Sequence, residues 1–314
     1  LKSGAYGTAT NNCQEDMLCS EWNNWSKESR VGVFIMYDVT TPNGTFRSKG
    51  SGFFLNKSGS GYQNTDYPYM MTCGHVMCPE INGVKYDYSQ LYSSYSSQFK
   101  IIVNYRNNTC NDPKTRYGQV ISNSRYFTLL SIGSSYNQAG SSSYSENDDY
   151  AFFQSSRNIS QLSQYNELYA GWTANPNYNN TGYAAIGHPE GDTQKILIDN
   201  GYGVVNPNGK YVAFYYDKGV PEHGFSGSPI FNSSKQIVSW LCTGGGTCSN
   251  IGQNFSSGGK FNSLIFNISQ YIDPTGQNQA SDSEPPPPTP PAHCSNCVQD
   301  VDETGIDCGG SCLP

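Results

Sequence analysis

Charge is scarce in this chain. Of its 314 residues only 14% are Asp, Glu, Lys or Arg, and 25 acids against 18 bases leave a formal net charge of −7. That balance opposes binding to a phosphate backbone, so nucleic acid is excluded as a partner. Long apolar runs are also missing, and nothing approaches the roughly 20 residues that a membrane-spanning helix needs. No signal peptide stands at Leu1, which is therefore expected to be a processed terminus. Histidine is rare, with four in the chain: His75, His188, His223 and His293. Any chemistry that needs an imidazole has few candidates.

Glycine (33), tyrosine (24) and cysteine (11) are plentiful. So many cysteines suit an oxidising compartment, where disulfides persist, and the chain is expected to be secreted. Short alternating runs at 31–37, 100–105, 183–186 and 211–215 are separated by Gly, Asn, Ser and Pro clusters. A period of two, repeated along the chain, predicts an all-β sandwich or barrel. One segment reads as a helix, Asn262 to Ile272, where Leu264, Ile265, Ile268 and Tyr271 share a face. Nine Asn-x-Ser/Thr sequons begin at Asn24, Asn43, Asn56, Asn107, Asn158, Asn179, Asn232, Asn254 and Asn267. Composition alone would give about six, so the sequons permit a glycoprotein without arguing for one.

The most pointed motif is His223-Gly224-Phe225-Ser226-Gly227-Ser228-Pro229-Ile230-Phe231. Glycines on both sides of a serine let the backbone bend and approach a carbonyl closely. The hydroxyl is then exposed at a turn beside free backbone N–H groups, which is what acyl transfer needs. Two further segments give this turn company. Met70-Met71-Thr72-Cys73-Gly74-His75 carries an apolar strand into a histidine, and Asn147-Asp148-Asp149-Tyr150-Ala151-Phe152-Phe153 opens an apolar strand with an aspartate. The order His, Asp, Ser is that of chymotrypsin-type proteases and differs from subtilisins and α/β-hydrolases.

Over residues 10–276 the chain resembles the bacterial lysyl-endopeptidase branch of the chymotrypsin-like (trypsin-like) serine proteases. Cys13 and Cys19 are spaced as in that branch, and Gly52 to Asn56 resembles its "G-x-L-x-N". Gly171-Trp172, the stretch Gly187 to Asp192 with Lys195-Ile196, Gly244 to Ser249, and Tyr271 to Gly276 resemble further motifs. The resemblance implies two antiparallel six-stranded β-barrels, closed by a C-terminal helix. It implies Ser226 as nucleophile, His75 as general base and Asp149 as the group that orients it, with Asp148 as the alternative. The N–H groups of Gly224 and Ser226 would hold the oxyanion, and catalysis would need no cofactor. Protein or peptide substrates would lie against Val220, Glu222 and His223 on one side and Ser239, Trp240, Cys242 and Gly244 on the other. Phe225 would shape the leaving-group side of the cleft. His188 would be structural.

The resemblance also implies the bridges Cys13–Cys248 and Cys19–Cys110. The branch's third bridge departs here, because Val76 stands where its cysteine would follow the histidine. Cys73 and Cys78 flank His75 instead and are candidates for a local pair; Cys242 is then free or bridges to one of them. The acid that neutralises a substrate lysine in that branch is also missing. Residues 249–260 contain no Asp or Glu, and Ser256 or Ser257 takes the position. A lysine ammonium buried without a partner costs several kcal/mol, so strict lysine specificity is not expected. Glu222 and Asp217 are the nearby acids that would restore a basic preference by turning inward. A protease-fold binding or structural protein that does not turn over is the competing reading.

Composition shifts after Gly276. Residues 277–293, with Pro285 to Pro288 and Pro290-Pro291, read as an extended linker. Cys294, Cys297, Cys308 and Cys312 then suggest a disulfide-held module over 294–314, similar to Cys-rich repeats appended to secreted proteins. Asp300, Asp302 and Asp307 allow two readings there, a calcium loop or a solvated acidic turn. The module would serve a surface or matrix partner rather than catalysis, with residues 1–276 as the protease domain.

Overall fold

The computed structural model describes residues 13–41, 44–81, 84–85, 100–111, 116–122, 127–134, 146–165, 168–206, 208–209 and 211–285. The expected linker beyond Pro285, His293, the expected cysteine module and its calcium reading at Asp300, Asp302 and Asp307 lie outside the described residues.

Two sheets form the body. The first is a seven-stranded antiparallel sheet, in the order Arg116–Ser122, Lys100–Asn107, Gly32–Thr41, Gly44–Leu55, Tyr69–Thr72, Ala151–Ser155 and Phe127–Ile132. The second has ten strands. Its main path runs Glu15–Asp16, Lys195–Tyr202, Thr181–Gly187, Pro229–Phe231, Ile237–Gly245, Asn254–Lys260, Val212–Tyr216 and Val204–Val205, with Trp172–Thr173 and Gln279–Ala280 added beside Ile237. This is the all-β, chymotrypsin-like architecture with a closing helix. The second sheet exceeds six strands because four two-residue strands join its edges, whereas the first has seven strands of four residues or more.

The strands carry consecutive buried residues rather than a buried/exposed alternation. In Lys100–Asn107 the β-branched run Ile101, Ile102 and Val103 is buried on both faces. The helix Phe261–Ile272 buries Phe261, Leu264, Ile265, Ile268 and Ile272, while Phe266 is exposed. Tyr271 is only half-buried, its ring lying against Tyr69 and Phe152. One core is continuous across the two sheets, joining Val33, Ile35 and Phe153 to Ile186, Phe231 and Trp240. A smaller core fills the second unit, around Tyr183, Phe214, Phe225 and Val238.

The disulfides Cys13–Cys248 and Cys19–Cys110 are both formed, tying the N-terminal segment to the two units. The buried pair Asp16 and Lys195, 3.4 Å apart, reinforces the same seam. No helix among the described residues is long and apolar enough to cross a membrane. The chain does not leave the body at Gly276. Gln279–Ala280 pairs with Trp172–Thr173, Gly171 N donates to the Asp282 carboxylate, and Arg30 meets Glu284 at 3.1 Å. The linker boundary expected after Gly276 therefore falls inside packed chain, because these residues satisfy a strand edge that would otherwise be bare. Among the described residues three sequon asparagines are structural. Asn56, Asn107 and Asn254 are buried, with side chains bonded to Ser281 O, the Asp16 carboxylate and Thr247 N respectively.

Candidate active site

The first sheet supplies an imidazole and a carboxylate side by side. Strand Tyr69–Thr72 ends at Cys73, which is extended and caps the short helix Gly74–Met77 that carries His75. Its neighbour Ala151–Ser155 pairs Ala151 with Thr72, and that antiparallel register carries Asp149 alongside position 74. His75 N donates to Asp149 Oδ1 at 2.9 Å, and His75 Nδ1 lies 2.7 Å from Asp149 Oδ2. Asp149 is fully buried while the imidazole keeps about a third of its surface exposed. Desolvation alone would lower the His75 pKa; the charge and hydrogen bond of Asp149 outweigh it and hold the pKa above its ordinary 6.5. Asp148 turns away, its carboxylate accepting from Ser134 N and Oγ at 2.8 Å. Trp240 Nε1 donates to the Asp149 carbonyl at 2.7 Å and braces the loop from behind.

The second sheet supplies the serine turn. Gly224 and Gly227 have φ of +100° and +88°, a left-handed backbone that favours glycine. A Cβ on Gly227 would meet Ser51 O at 2.1 Å, so the turn is also sterically closed to side chains there. Ser51 clamps the turn from the first sheet. Its N donates to Ser226 O at 2.8 Å, its Oγ donates to Gly224 O at 2.9 Å, and the same Oγ accepts from His188 N. Gly227 N donates to Leu241 O and Ser228 N to Phe225 O. Among the described residues the N–H groups of Gly224 and Ser226 carry no hydrogen bond. Two unpaired donors beside a partly exposed hydroxyl can receive a developing oxyanion. Ser226 Oγ itself lies 3.4 Å from the Cys242 carbonyl, and among the described residues no hydrogen bond joins it to His75.

The other expected residues divide. His223 is exposed and within electrostatic reach of His75, Glu190 and Lys49. Gly244 is exposed, as is Thr243. Val220, Ser239, Trp240 and Cys242 are buried instead. Val220 O accepts from Gln14 Nε2, and Ser239 Oγ donates to Gly259 O, so these residues support the walls rather than face a substrate. Phe225 does not shape the leaving-group side: it is wholly buried in the smaller core, because the two glycine bends turn its side chain inward. His188 is buried between Phe34 and Tyr105, and burial pushes its pKa down to about 4. Neither nearby acid turns inward. The Glu222 carboxylate accepts from Gln14 Nε2 at 2.7 Å and Asp217 accepts from Asn200 N. The local Cys73–Cys78 pair is not formed, and Cys242 is unbridged. Cys73 leaves its strand toward the Leu241 carbonyl, whereas Cys78 ends the helix beside Tyr37. Val76, where a bridging cysteine was expected, packs on Gly50.

Three contributors escape a sequence reading. Ser51, Gln14 and Glu146 sit in unremarkable local contexts and gain their roles from contacts more than 100 residues away in sequence. Glu146 is the sharpest case. Residues 249–260 hold no acid, yet Ser257 Oγ donates to Glu146 Oε1 at 3.1 Å.

Comparison with known proteins comes to the same place. The family described as "Lysyl endopeptidase, C-terminal domain" matches residues 7–257. No curated protein sequence matches the chain. Among solved structures it is similar to the thermostable serine protease AL20 from an extremophilic microorganism, with 14% identity, a TM-score of 0.48, and coverage of 78% of this chain and 98% of that one. It is similar also to the protease Anisep from Arthrobacter nicotinovorans, with 15% identity, a TM-score of 0.48, and coverage of 77% and 95%. The family match spans most of the chain, and the protein belongs to the lysyl endopeptidase C-terminal domain family, a family of serine peptidases.

Proposed function

We propose that the protein is a secreted serine endopeptidase working through an acyl-enzyme. Ser226 attacks the scissile carbonyl, His75 Nε2 takes the proton and returns it to the leaving amine, and Asp149 holds the ring through Nδ1. The N–H groups of Gly224 and Ser226 receive the oxyanion. The observation that carries this reading is the pair of hydrogen bonds from His75 to a fully buried Asp149, with Ser226 on the facing turn. A fluorophosphonate probe is expected to label Ser226 and no other serine. An unlabelled protein with an intact fold overturns the reading.

One observation favours the competing reading, a protease-fold binding protein without turnover: Ser226 Oγ rests on Cys242 O rather than on His75. Hydroxyl geometry of this kind tightens when substrate arrives, so it does not exclude catalysis. A mixed peptide library separates the two. Cleavage abolished by Ser226→Ala supports the enzyme, and no cleavage by the wild type supports the scaffold.

Primary specificity is not strict for lysine. Ser256 is taken by Tyr216, Glu222 by Gln14 and Asp217 by Asn200, which leaves Glu146 as the acid beside Ser257. Cleavage-site profiling is expected to give less than about tenfold preference for Lys at P1, or about 1.4 kcal/mol. A larger preference that Glu146→Gln removes assigns the missing acid to Glu146 and overturns this specificity.

A further inference from the structure

Seven of the eleven cysteines precede the proline-rich stretch, and the two disulfides use four of them. The remaining three, Cys73, Cys78 and Cys242, are all buried thiols, but they are not equally placed. Cys73 ends a strand of the first sheet, and its Sγ reaches across the seam to the Leu241 carbonyl at 3.1 Å. The next residue in that second-sheet strand is Cys242. The Cys73 sulfur, the Cys242 sulfur and a carboxylate oxygen of Asp149 lie within 4.8 Å of one another. Cys78 lies outside that group, beside Tyr37.

We propose that Cys73 and Cys242 are a disulfide-forming pair whose bridge joins the two β units behind Asp149 and leaves Cys78 as the one thiol of the protease body. A cation held by the same three donors is the rival occupant. It is disfavoured because both Asp149 oxygens already accept from His75. A disulfide asks nothing of the carboxylate. It needs only that the sulfurs close to about 2.05 Å by side-chain rotation.

The oxidant is a small-molecule disulfide or the disulfide of a dithiol oxidase, as an oxidising compartment supplies. The thiolate of one cysteine attacks the oxidant RSSR and expels RS⁻, forming a mixed disulfide. The second thiolate attacks the protein sulfur of that mixed disulfide and expels the other RS⁻. Two cysteine thiols become one S–S bond, and the oxidant gains two electrons and two protons as two RSH. The step belongs to folding, before the units close. In the folded protein burial pushes the Cys73 thiol well up and Cys242 to about 11, so thiolate is scarce and exchange slow. The bridge would then run from two residues before His75 to the residue whose carbonyl meets Ser226 Oγ. It would tie the base side of the site to the nucleophile side.

The test needs no variant and no activity. Full-length protein folded in an oxidising compartment is denatured with iodoacetamide in the absence of reductant, digested and mapped by mass spectrometry, with metal content measured on the native protein. The expected result is alkylation of Cys78 and one cross-linked species holding the Cys73 and Cys242 peptides, which separates on reduction. Alkylation of both Cys73 and Cys242 overturns the proposal, and a stoichiometric bound cation in that case reassigns the pair to metal. A link from Cys78 to either partner overturns it as well.

Discussion

His75 and Asp149 are joined at 2.7 and 2.9 Å, whereas among the described residues the Ser226 hydroxyl has a single hydrogen bond, of 3.4 Å, to the Cys242 carbonyl. The first sheet delivers its pair fully assembled, and the second delivers a turn held by backbone bonds with the reactive groups left open. The contrast follows from burial. A carboxylate with no exposed surface must have its partners at all times, since an unpaired buried charge costs several kcal/mol. A partly exposed hydroxyl is satisfied by water and swings between staggered rotamers at little cost. In the proposed reaction, what would be expensive to assemble is built in advance, and what the substrate would touch is left open.

The contrast can be broken at its extremes first. Ser226→Ala is expected to lower kcat by about 10⁶-fold with the fold unchanged, measured on a peptide substrate beside a circular-dichroism melt. Asp149→Asn should cost about 10⁴-fold, because the amide favours the wrong imidazole tautomer. Asp148→Asn, whose carboxylate accepts from Ser134 rather than from His75, should stay within a few-fold in the same assay; equal losses from both would misplace the proposed triad acid. Truncation after Gly276 should remove the Gln279–Ala280 strand and its ties to Gly171, Arg30 and Lys27, lowering the melting temperature. Truncation after Pro285 should leave it unchanged. Equal melting of the two forms would show that residues 277–285 contribute nothing to the body.

Smaller effects sharpen the picture. Ser51→Ala leaves Gly224 O and His188 N without their shared buried partner and should cost about 1–3 kcal/mol in denaturant unfolding. It should also reduce kcat while KM changes little, because the donors of Gly224 and Ser226 lose their alignment. The pH profile is the finest probe. As the proposed general base His75 must be neutral to accept a proton, and its pKa is raised, so kcat/KM should rise with pH through a value above 6.5. The sign for stability is opposite. A raised folded-state pKa stabilises the protein fully below 6.5, and that contribution is lost as pH rises through the folded value. In Asp149→Asn the acidic limb should move down, since burial without the charge lowers the pKa.

Much of this was legible beforehand, for local reasons. The strand runs at 31–37 and 183–186 carry their period in consecutive residues, and the helix at 262–272 carries its apolar face within three turns. The serine turn was readable because its two left-handed positions demand glycine wherever the rest of the chain lies. Phe225 and Trp240 were misplaced for the converse reason. An apolar side chain next to a site looks the same in sequence whether it faces the cleft or the core; glycine bends turn Phe225 into the smaller core, and the strand Ile237–Gly245 directs Trp240 into the larger one. The sequons at Asn56, Asn107 and Asn254 are uninformative for the same reason, since a tripeptide does not record that its asparagine is buried against a distant partner.

The order His75, Asp149, Ser226, the all-β class, the closing helix and the excess of cysteine are properties of the sequence by itself, because each rests on residue type and short spacing. Which aspartate meets the histidine, which serine clamps the Ser226 turn, which acid reaches Ser257 and which thiols lie near each other were decided only by the tertiary structure. The physical reason is separation along the chain. Ser51 and Gly224 stand 173 residues apart and Cys73 and Leu241 stand 168 apart, and contacts of that span arise only when two sheets close on a shared core.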